Sequence, residues 1–156
     1  MAKRVEIHPY DYSDIFHKRT GLLVSINKKG KPNVMALDWK TIGELWHLPI
    51  ITVAVAPSRY TFELLKEVPE FTLNIPSDKI EHAIMSAGSS SGRYTDKFKE
   101  NNLEIIEGTK VKPPTIKDSW LSYECKIVHE CKSGNMAEHS LFFGKIVAAF
   151  ASNDII

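Results

Sequence analysis

The chain has 156 residues, a formal net charge of +1 and 43% hydrophobic residues, which fits one globular domain. Its 20 basic residues are scattered along the chain, so the charge favours neither a nucleic acid nor an acidic membrane as partner. No segment approaches the ~20 apolar residues of a membrane span, and residues 1–6 lack the apolar region of a signal peptide. We therefore expect a cytoplasmic protein with a single domain over residues 1–156.

The first elements in chain order form a predicted β-hairpin. Residues 21–26 and 33–37 are aliphatic and β-branched, and the polar segment 27–32 between them contains Gly30. A third strand is predicted over Ile50–Ala56, which is short, apolar and bounded by Pro49 and Pro57.

After Pro57 the hydrophobic pattern changes period. Phe62, Leu65 and Val68 recur at three-residue steps, which predicts an amphipathic helix over residues 58–68 with Ser58 as its N-cap. The first turn of such a helix presents unpaired backbone amides beside the Arg59 guanidinium and the Thr61 hydroxyl, and these donors suit a phosphate group. An ordinary helix start with an exposed arginine has the same pattern.

The middle of the chain continues with a strand at 71–75 and a helix at 78–87 that Ser77 or Asp78 would cap. Residues 87–93 form a loop rich in glycine and serine, and successive amides of Ser89–Arg93 can form an anion-binding nest. A flexible surface loop is the alternative for this composition. One more short helix is predicted within residues 94–101.

Two long strands, 120–131 and 140–151, are predicted on either side of a turn-like linker at 132–136. Cys125 and Cys131 lie in the first of them, roughly 20 Å apart along extended chain, so they cannot form a disulfide with each other. The segment His129–Cys131 alternates between faces, which is a poor arrangement for chelation, and we predict no metal site. The elements together predict a mainly β, antiparallel barrel or sandwich with small helices.

The order of these parts resembles the flavin reductase-like, FMN-binding split-barrel family, which includes flavoredoxin-type electron carriers and flavin reductases. Four segments carry the resemblance between residues 18 and 150. Asn33–Trp39 looks like the family's Asn-x-Met-x-x-x-Trp segment, and Ser58–Thr61 looks like its phosphate-binding turn. Glu70–Pro76 is similar to its Glu-Phe-x-x-Asn-x-Pro strand, and His139–Ile146 to its His-x-Leu-x-x-Gly-x-Val strand. The resemblance implies an antiparallel Greek-key split β-barrel with short peripheral helices.

The resemblance also implies that FMN, in preference to FAD, is the cofactor. Asn33, Met35 and Ala36 would line its isoalloxazine ring, with Asp38 and Trp39 beside them. Asp38 departs from the family, because many flavin reductases have serine there. Period-2 spacing gives the alternative that Met35, Leu37 and Trp39 are the inward face of a strand. The remaining residues assigned to the cofactor are Ser58, Arg59, Tyr60, Thr61, Asn74, Ser91, Gly92 and Lys97, and a solvated surface lysine is the alternative for the last.

By the same resemblance, His139 would orient the nicotinamide of NAD(P)H as cosubstrate, although a surface histidine fits the sequence equally well. The implied reaction is hydride transfer from NAD(P)H to the flavin, followed by electron delivery to an acceptor. The implied partners are a second copy of the chain in a homodimer, small-molecule donors and acceptors, and a possible redox protein. Two alternatives remain: an FMN electron carrier reduced by a partner protein, and a non-catalytic barrel that binds another small molecule.

Overall fold

The computed structural model describes residues 3–89 and 91–156. The strands are β1 (Arg4–Glu6), β2 (Gly21–Ile26), β3 (Pro32–Leu37), β4 (Lys40–Leu45), β5 (Leu48–Val55), β6 (Glu70–Pro76), β7 (Ile105–Ile106), β8 (Thr115–Ile116), β9 (Ser119–Lys132) and β10 (Ser140–Ser152). The helices are α1 (Ser13–Phe16), α2 (Tyr60–Glu67), α3 (His82–Ser89) and α4 (Lys97–Glu100), and a 3₁₀ turn covers Asn153–Ile155.

One large antiparallel sheet organises the molecule, with the strand order β3-β2-β6-β9-β10-β5-β4. β1 pairs with the end of β10, and β7 and β8 form a separate two-stranded ribbon. The predicted hairpin is present, because β2 and β3 pair from Gly21↔Leu37 to Ile26↔Pro32. The mainly antiparallel β architecture predicted from the sequence is therefore confirmed.

β2 is buried along its whole length because both faces of this part of the sheet are covered. Leu23 packs into the main core with Phe71 of β6. Leu22 and Val24 point the other way, into a second cluster that contains Ala87 of α3. The burial of all six residues of β2 thus follows from a sheet with the main core on one side and helices on the other.

β4 has no counterpart among the predicted strands. It pairs with β5 from Lys40↔Val53 to Leu45↔Leu48, and no residue of β4 is fully buried. The connecting residues Trp46 and His47 have φ values of 55° and 59°, a left-handed pair typical of a two-residue hairpin turn. Such turns usually carry Asn or Gly, so Trp-His gives no turn signal.

The predicted helix 78–87 starts later than expected, at His82. Residues 77–81 form turns in which the Ile80 amide donates to the Ser77 carbonyl at 3.2 Å. The Ser77 hydroxyl accepts from the Lys79 amide, and Asp78 forms an ion pair with Arg19 at 3.0 Å. The prediction that Ser77 or Asp78 caps the helix was therefore wrong.

The two cysteines are free thiols, as predicted, with Cys125 buried and Cys131 exposed. Burial raises the pKa of the Cys125 thiol. A thiol that stays protonated is a weak nucleophile, so Cys125 is a core residue.

Candidate functional site

The start of α2 forms one wall of a cleft. Arg59, not Ser58, is the N-cap, and no side chain caps the helix. The Arg59 amide donates to the Ala56 carbonyl at 3.0 Å, so a turn over residues 56–59 places Ser58 before the helix. The prediction of Ser58 as N-cap was wrong, and the consequence is a first turn whose amides are not satisfied by a capping side chain.

The cavity in front of this turn has a volume of about 420 Å³, and we call it the basic cavity. Its lining contains three cations and, among the described residues, no carboxylate, which gives it a positive potential. The lining residues are Asn33, Met35, Ser58, Arg59, Tyr60, Thr61, Gly88, Ser89, Ser91, Gly92, Arg93, Tyr94 and Lys97.

Lys97 of α4 is a buried cation in this lining, with 5% of its surface exposed. Its ammonium donates to the Ala87 carbonyl at 2.9 Å. The pKa of Lys97 lies below the usual lysine value, mainly because burial disfavours the charge and also because Arg59 is nearby, although Glu100 acts in the opposite direction. An anion between Lys97 and Arg59 would stabilise both charges.

Gly92 brings the loop after α3 against β3. A Cβ atom on Gly92 would lie 1.7 Å from Asn33 Oδ1 and 3.2 Å from Tyr60 Cδ2, so no other residue fits without displacing the Asn33 amide. That amide donates to the Thr61 hydroxyl at 3.3 Å. The loop, β3 and α2 therefore meet around one buried asparagine.

The loop is further held by Ser91 and Arg93. The Ser91 hydroxyl accepts from the Arg93 amide at 3.2 Å, so this amide of the predicted nest already has a partner. Arg93 forms an ion pair with Glu63 of α2, and its guanidinium lies 5.3 Å from the Tyr60 ring centroid. Ser90, which belongs to the predicted nest, lies outside the described residues.

A second cavity of about 320 Å³, the aromatic cavity, shares Met35 and Arg59 with the basic cavity. Most of its lining residues are of apolar type, and Asp38 is its only acidic residue among those described. Its lining residues are Met35, Ala36, Leu37, Asp38, Trp39, Ala54, Val55, Ala56, Arg59 and His139. The two cavities form one cleft with a cationic end and an aromatic end.

His139 and Trp39 form one wall of the aromatic cavity, with ring centroids 4.7 Å apart and an edge-on orientation. Trp39 is 61% exposed. The Nδ1 atom of His139 is buried and has no hydrogen-bond partner among the described residues. A buried polar atom without a partner at a cavity wall is suited to a hydrogen bond with a ligand.

Beyond His139 lies an outer cavity of about 650 Å³ that shares Ala56 and His139 with the aromatic cavity. It is formed largely by Lys132 at the end of β9 and by the loop that follows, including Glu138. The Ser133 hydroxyl closes this loop by donating to the carbonyl oxygens of Ala137 at 2.6 Å and His139 at 3.0 Å.

The structure brings thirteen of the fourteen predicted site residues to this cleft and its walls. Asn33 lies at the basic end, not along the aromatic cavity where the sequence predicted it. Asn74 is the exception. It is fully buried in β6, its amide nitrogen donates to the Leu22 carbonyl and its amide oxygen accepts from the Ile116 amide and the Ser122 hydroxyl. Its prediction as a cofactor ligand is corrected to a role in the interior, because its polar atoms are already paired.

Sequence reasoning missed several lining residues, and it included Arg93 only through the backbone of the candidate nest, not as a side chain of the site. Its position next to Gly92 in a loop of small residues was the signal that could have identified it. No sequence pattern identifies the small lining residues Gly88, Ala54 and Ala56. Small residues line a cavity only when neighbouring elements leave space above them, and this depends on the fold.

A separate cavity of about 290 Å³, lined by residues that include Arg4, Lys79 and Phe150, contains none of the predicted site residues. Arg4 donates to the Thr115 hydroxyl at 2.8 Å and its guanidinium lies 4.0 Å from the Phe150 ring centroid. No group of three or more metal-ligating side chains occurs in residues 3–89 and 91–156. Within the same residues, no helix has the length and apolar character needed to cross a membrane.

Comparison with known families matches residues 14–155 to the flavin reductase like domain. The chain belongs to this family. Among curated relatives of this family member, an uncharacterised protein of Archaeoglobus fulgidus is 35% identical over 85% of this chain and 72% of its own length.

Solved structures agree with the family. The flavoredoxin from Methanosarcina acetivorans is 29% identical with a TM-score of 0.76, and the match covers 99% of this chain and 78% of that one. The FMN-binding domain of a flavin reductases-like enzyme from Shewanella baltica has a TM-score of 0.83 at 19% identity, over 99% of this chain and 80% of that one. The predicted antiparallel split barrel with short peripheral helices is thereby confirmed.

Proposed function

We propose that this chain is an FMN-dependent oxidoreductase of the flavin reductase type, which takes electrons from NAD(P)H and passes them to an acceptor. The observation that carries the proposal is the single cleft with a cationic end and an aromatic end. Such a cleft matches a ligand with an anionic tail and a flat aromatic ring. Membership of the flavin reductase-like family supports a flavin as that ligand.

In this proposal the basic cavity holds the phosphate. Arg59 provides charge-assisted hydrogen bonds, and the uncapped first turn of α2 provides directed amides. Lys97 adds a buried positive charge. Gly92 allows the loop backbone to approach closely, and the Thr61 hydroxyl lies in the same wall. The flavin tail is thus bound by side chains and by backbone from three elements.

The aromatic cavity holds the ring. Met35 and Ala36 provide apolar contact from β3, and Trp39 covers the open side. The bound flavin supplies the redox chemistry, because it accepts two electrons from the donor and returns them to the acceptor. The protein contributes position and electrostatics, and no nucleophile is needed.

His139 is proposed to orient the nicotinamide donor. Its buried Nδ1 atom has no partner among the described residues and lies where the aromatic and outer cavities meet. A hydrogen bond from His139 to a carboxamide would hold the donor against the ring. Lys132 in the outer cavity supplies a cation for the negatively charged part of the donor.

We also propose that the chain acts as a homodimer. The large hydrophobic side chains of Trp39, Tyr94 and Met136 are 61%, 85% and 93% exposed, and aromatic residues and methionine are enriched at protein interfaces. Light scattering on the purified protein tests this, and a monomer mass over a wide range of concentrations contradicts it.

A second function, an FMN electron carrier reduced by a partner protein, has one observation in its favour: the 29% identical relative from Methanosarcina acetivorans is a flavoredoxin. Such a carrier needs no nicotinamide site. The two functions therefore differ in whether NAD(P)H alone reduces the bound flavin.

The test begins with protein stripped of flavin and titrated with FMN, FAD and riboflavin. The proposal expects FMN to bind most tightly. If none of the three flavins binds, the remaining alternative is a non-catalytic barrel that binds another small molecule. The FMN-loaded protein is then mixed anaerobically with NADH or NADPH. Bleaching of the flavin band by either donor supports the reductase. Absence of bleaching, with normal bleaching by dithionite, supports the carrier. His139→Ala should slow the bleaching by NAD(P)H by a larger factor than it weakens FMN binding.

A further inference from the structure

The two ends of the cleft differ in charge. The basic cavity contains Arg59, Arg93 and Lys97 and, among the described residues, no carboxylate. The aromatic cavity contains one acidic side chain, Asp38, which is exposed at the end of β3. Arg59 also lines the aromatic cavity, at its junction with the basic cavity, so Asp38 is the one negative charge of the described lining at the end of the cleft that receives the ring.

The Asp38 carboxylate is held in place and is only partly neutralised. It accepts a hydrogen bond from the Thr20 hydroxyl. The neighbouring cation is Lys40, but its ammonium donates to the Arg19 carbonyl at 3.1 Å and lies 5.0 Å from the Phe16 ring centroid. Lys40 does not line the aromatic cavity. Burial lowers the pKa of Lys40 and Asp38 acts in the opposite direction, so Lys40 offsets part of the Asp38 charge from outside the cavity.

We propose that Asp38 lowers the reduction potential of the flavin bound in this cleft, which makes the bound flavin a stronger reductant. The inference rests on the proposed function. Reduction adds two electrons to the ring and, at neutral pH, one proton, so the ring gains one negative charge. Repulsion from a carboxylate disfavours that charge, whereas the oxidised ring is neutral and is not repelled. Asp38 therefore weakens binding of the reduced flavin relative to the oxidised one.

The experiment measures the two-electron potential of the FMN-loaded protein by equilibration with redox dyes. Asp38→Asn removes the charge and keeps the shape. We expect the dissociation constant of reduced FMN, divided by that of oxidised FMN, to fall about tenfold. This is the size of effect expected when one charge is removed near a partly exposed site. That ratio corresponds to a potential about 30 mV higher. Asp38→Ser provides a second variant with the same expected direction, and Asp38→Glu should retain the low potential.

Two control variants distinguish the effect of the Asp38 charge on the flavin potential from other effects of the substitution. Thr20→Val removes the hydrogen bond to Asp38 but leaves the carboxylate, so the potential should stay near that of the unmodified protein. Asp154→Asn removes an exposed carboxylate that lines the separate cavity, so it should not change the potential.

An unchanged potential in FMN-loaded Asp38→Asn and Asp38→Ser overturns the inference. It does not contradict the proposed flavin binding, because both variants are then loaded with FMN. An equal rise in Asp154→Asn also overturns it, because the effect would then be one of net charge. If the unmodified protein binds no flavin, the proposed function fails first, and the inference fails with it.

Discussion

Arg59 is, among the described residues, the one cation that lines both the basic and the aromatic cavity. Replacing it with alanine should remove charge-assisted hydrogen bonds to the phosphate, each worth about 1.5–3 kcal/mol. We therefore expect Arg59→Ala to weaken FMN binding at least about tenfold while riboflavin, which lacks the phosphate, changes little. Fluorescence titration with both ligands measures this.

Lys66→Ala is a matched control for Arg59→Ala, because Lys66 also belongs to α2 but pairs with Glu130 outside the cleft. It should leave both affinities unchanged. Equal losses for FMN and riboflavin in Arg59→Ala would show that Arg59 does not bind the phosphate.

Lys97 makes FMN binding depend on pH in a definite direction. Burial lowers the pKa of Lys97 below the usual 10.5, and a bound phosphate would raise it again. The free protein therefore loses this proton before the complex does. FMN affinity should fall as pH rises through the lowered pKa, in a window that begins below that of an ordinary lysine.

The ratio of FMN to riboflavin affinity, measured from about pH 7 to about pH 10, isolates this effect from ionisation of the ring that both ligands share. In Lys97→Met the ratio should be lower and independent of pH. Parallel pH profiles for the two ligands in the unmodified protein would contradict the prediction.

Gly92 tests the close approach of the loop to β3. Gly92→Ala should push the Asn33 amide away from Thr61, and loss of about 1 kcal/mol for that hydrogen bond predicts roughly fivefold weaker FMN binding. Gly43→Ala is the control, because a Cβ there meets nothing within 4 Å. Unchanged FMN affinity in Gly92→Ala would mean that the loop is not part of the site.

At the residue scale, the sequence predicted which segments form the site better than it predicted how their residues are arranged in space. Arg59 and Thr61 were identifiable because a change of hydrophobic period marks a helix start. The exact N-cap was not, because a turn over residues 56–59 shifts the start by hydrogen bonds that depend on three-dimensional packing. Only the resemblance of its segment to a family motif suggested Asn74 as a site residue. Its burial between β2 and β9 depends on strands that are distant in the chain, so the neighbouring sequence does not reveal it.

At the scale of elements, the centre of the sheet was predictable and its edge was not. β2 and β5 are rich in aliphatic residues because neighbouring elements cover them. β4 is an edge strand in which every residue is half-buried or exposed, without strict alternation, and Gly43 lies in its middle, so its hydrophobic pattern is weak. Its turn also lacks the usual Gly or Asn.

Gly144 of β10 tests how closely the central strands pack. A Cβ on Gly144 would lie 2.6 Å from Phe71 Cζ and 2.9 Å from Cys125 Cβ, and both neighbours are fully buried. Gly144→Ala should therefore lower the free energy of unfolding by about 1–3 kcal/mol, the usual cost of overpacking. Urea denaturation measures it, with Gly43→Ala as the control at an open position. A difference below ~0.5 kcal/mol between the two variants would contradict this packing.

At the scale of the whole molecule, the cleft joins segments that are distant in sequence: β3, the turn before α2, the loop after α3, and the loop before β10. A ligand that contacts all of them binds only the folded chain. FMN at 100 times its dissociation constant should stabilise the protein by about 2.7 kcal/mol. For a chain of this size, that corresponds to a rise of roughly 5–10 °C in the melting temperature.

Thermal unfolding with FMN, with riboflavin and without ligand tests this, and the rise should be smaller with riboflavin at the same concentration. In Arg59→Ala the difference between the shifts with the two flavins should be smaller than in the unmodified protein. No shift with FMN at saturating concentration would show that the ligand does not depend on the assembled cleft.

The contact between Trp39 and His139 gives the protein an intrinsic fluorophore at its cleft. An indole that is 61% exposed and edge-on to an imidazole emits in a way that depends on solvent and on the charge of its neighbour. Trp46 and Trp120 lie elsewhere, against Phe143 and Arg19 respectively. The Trp39 share of the emission therefore reports cleft occupancy without any added label, and Trp39→Phe identifies that share.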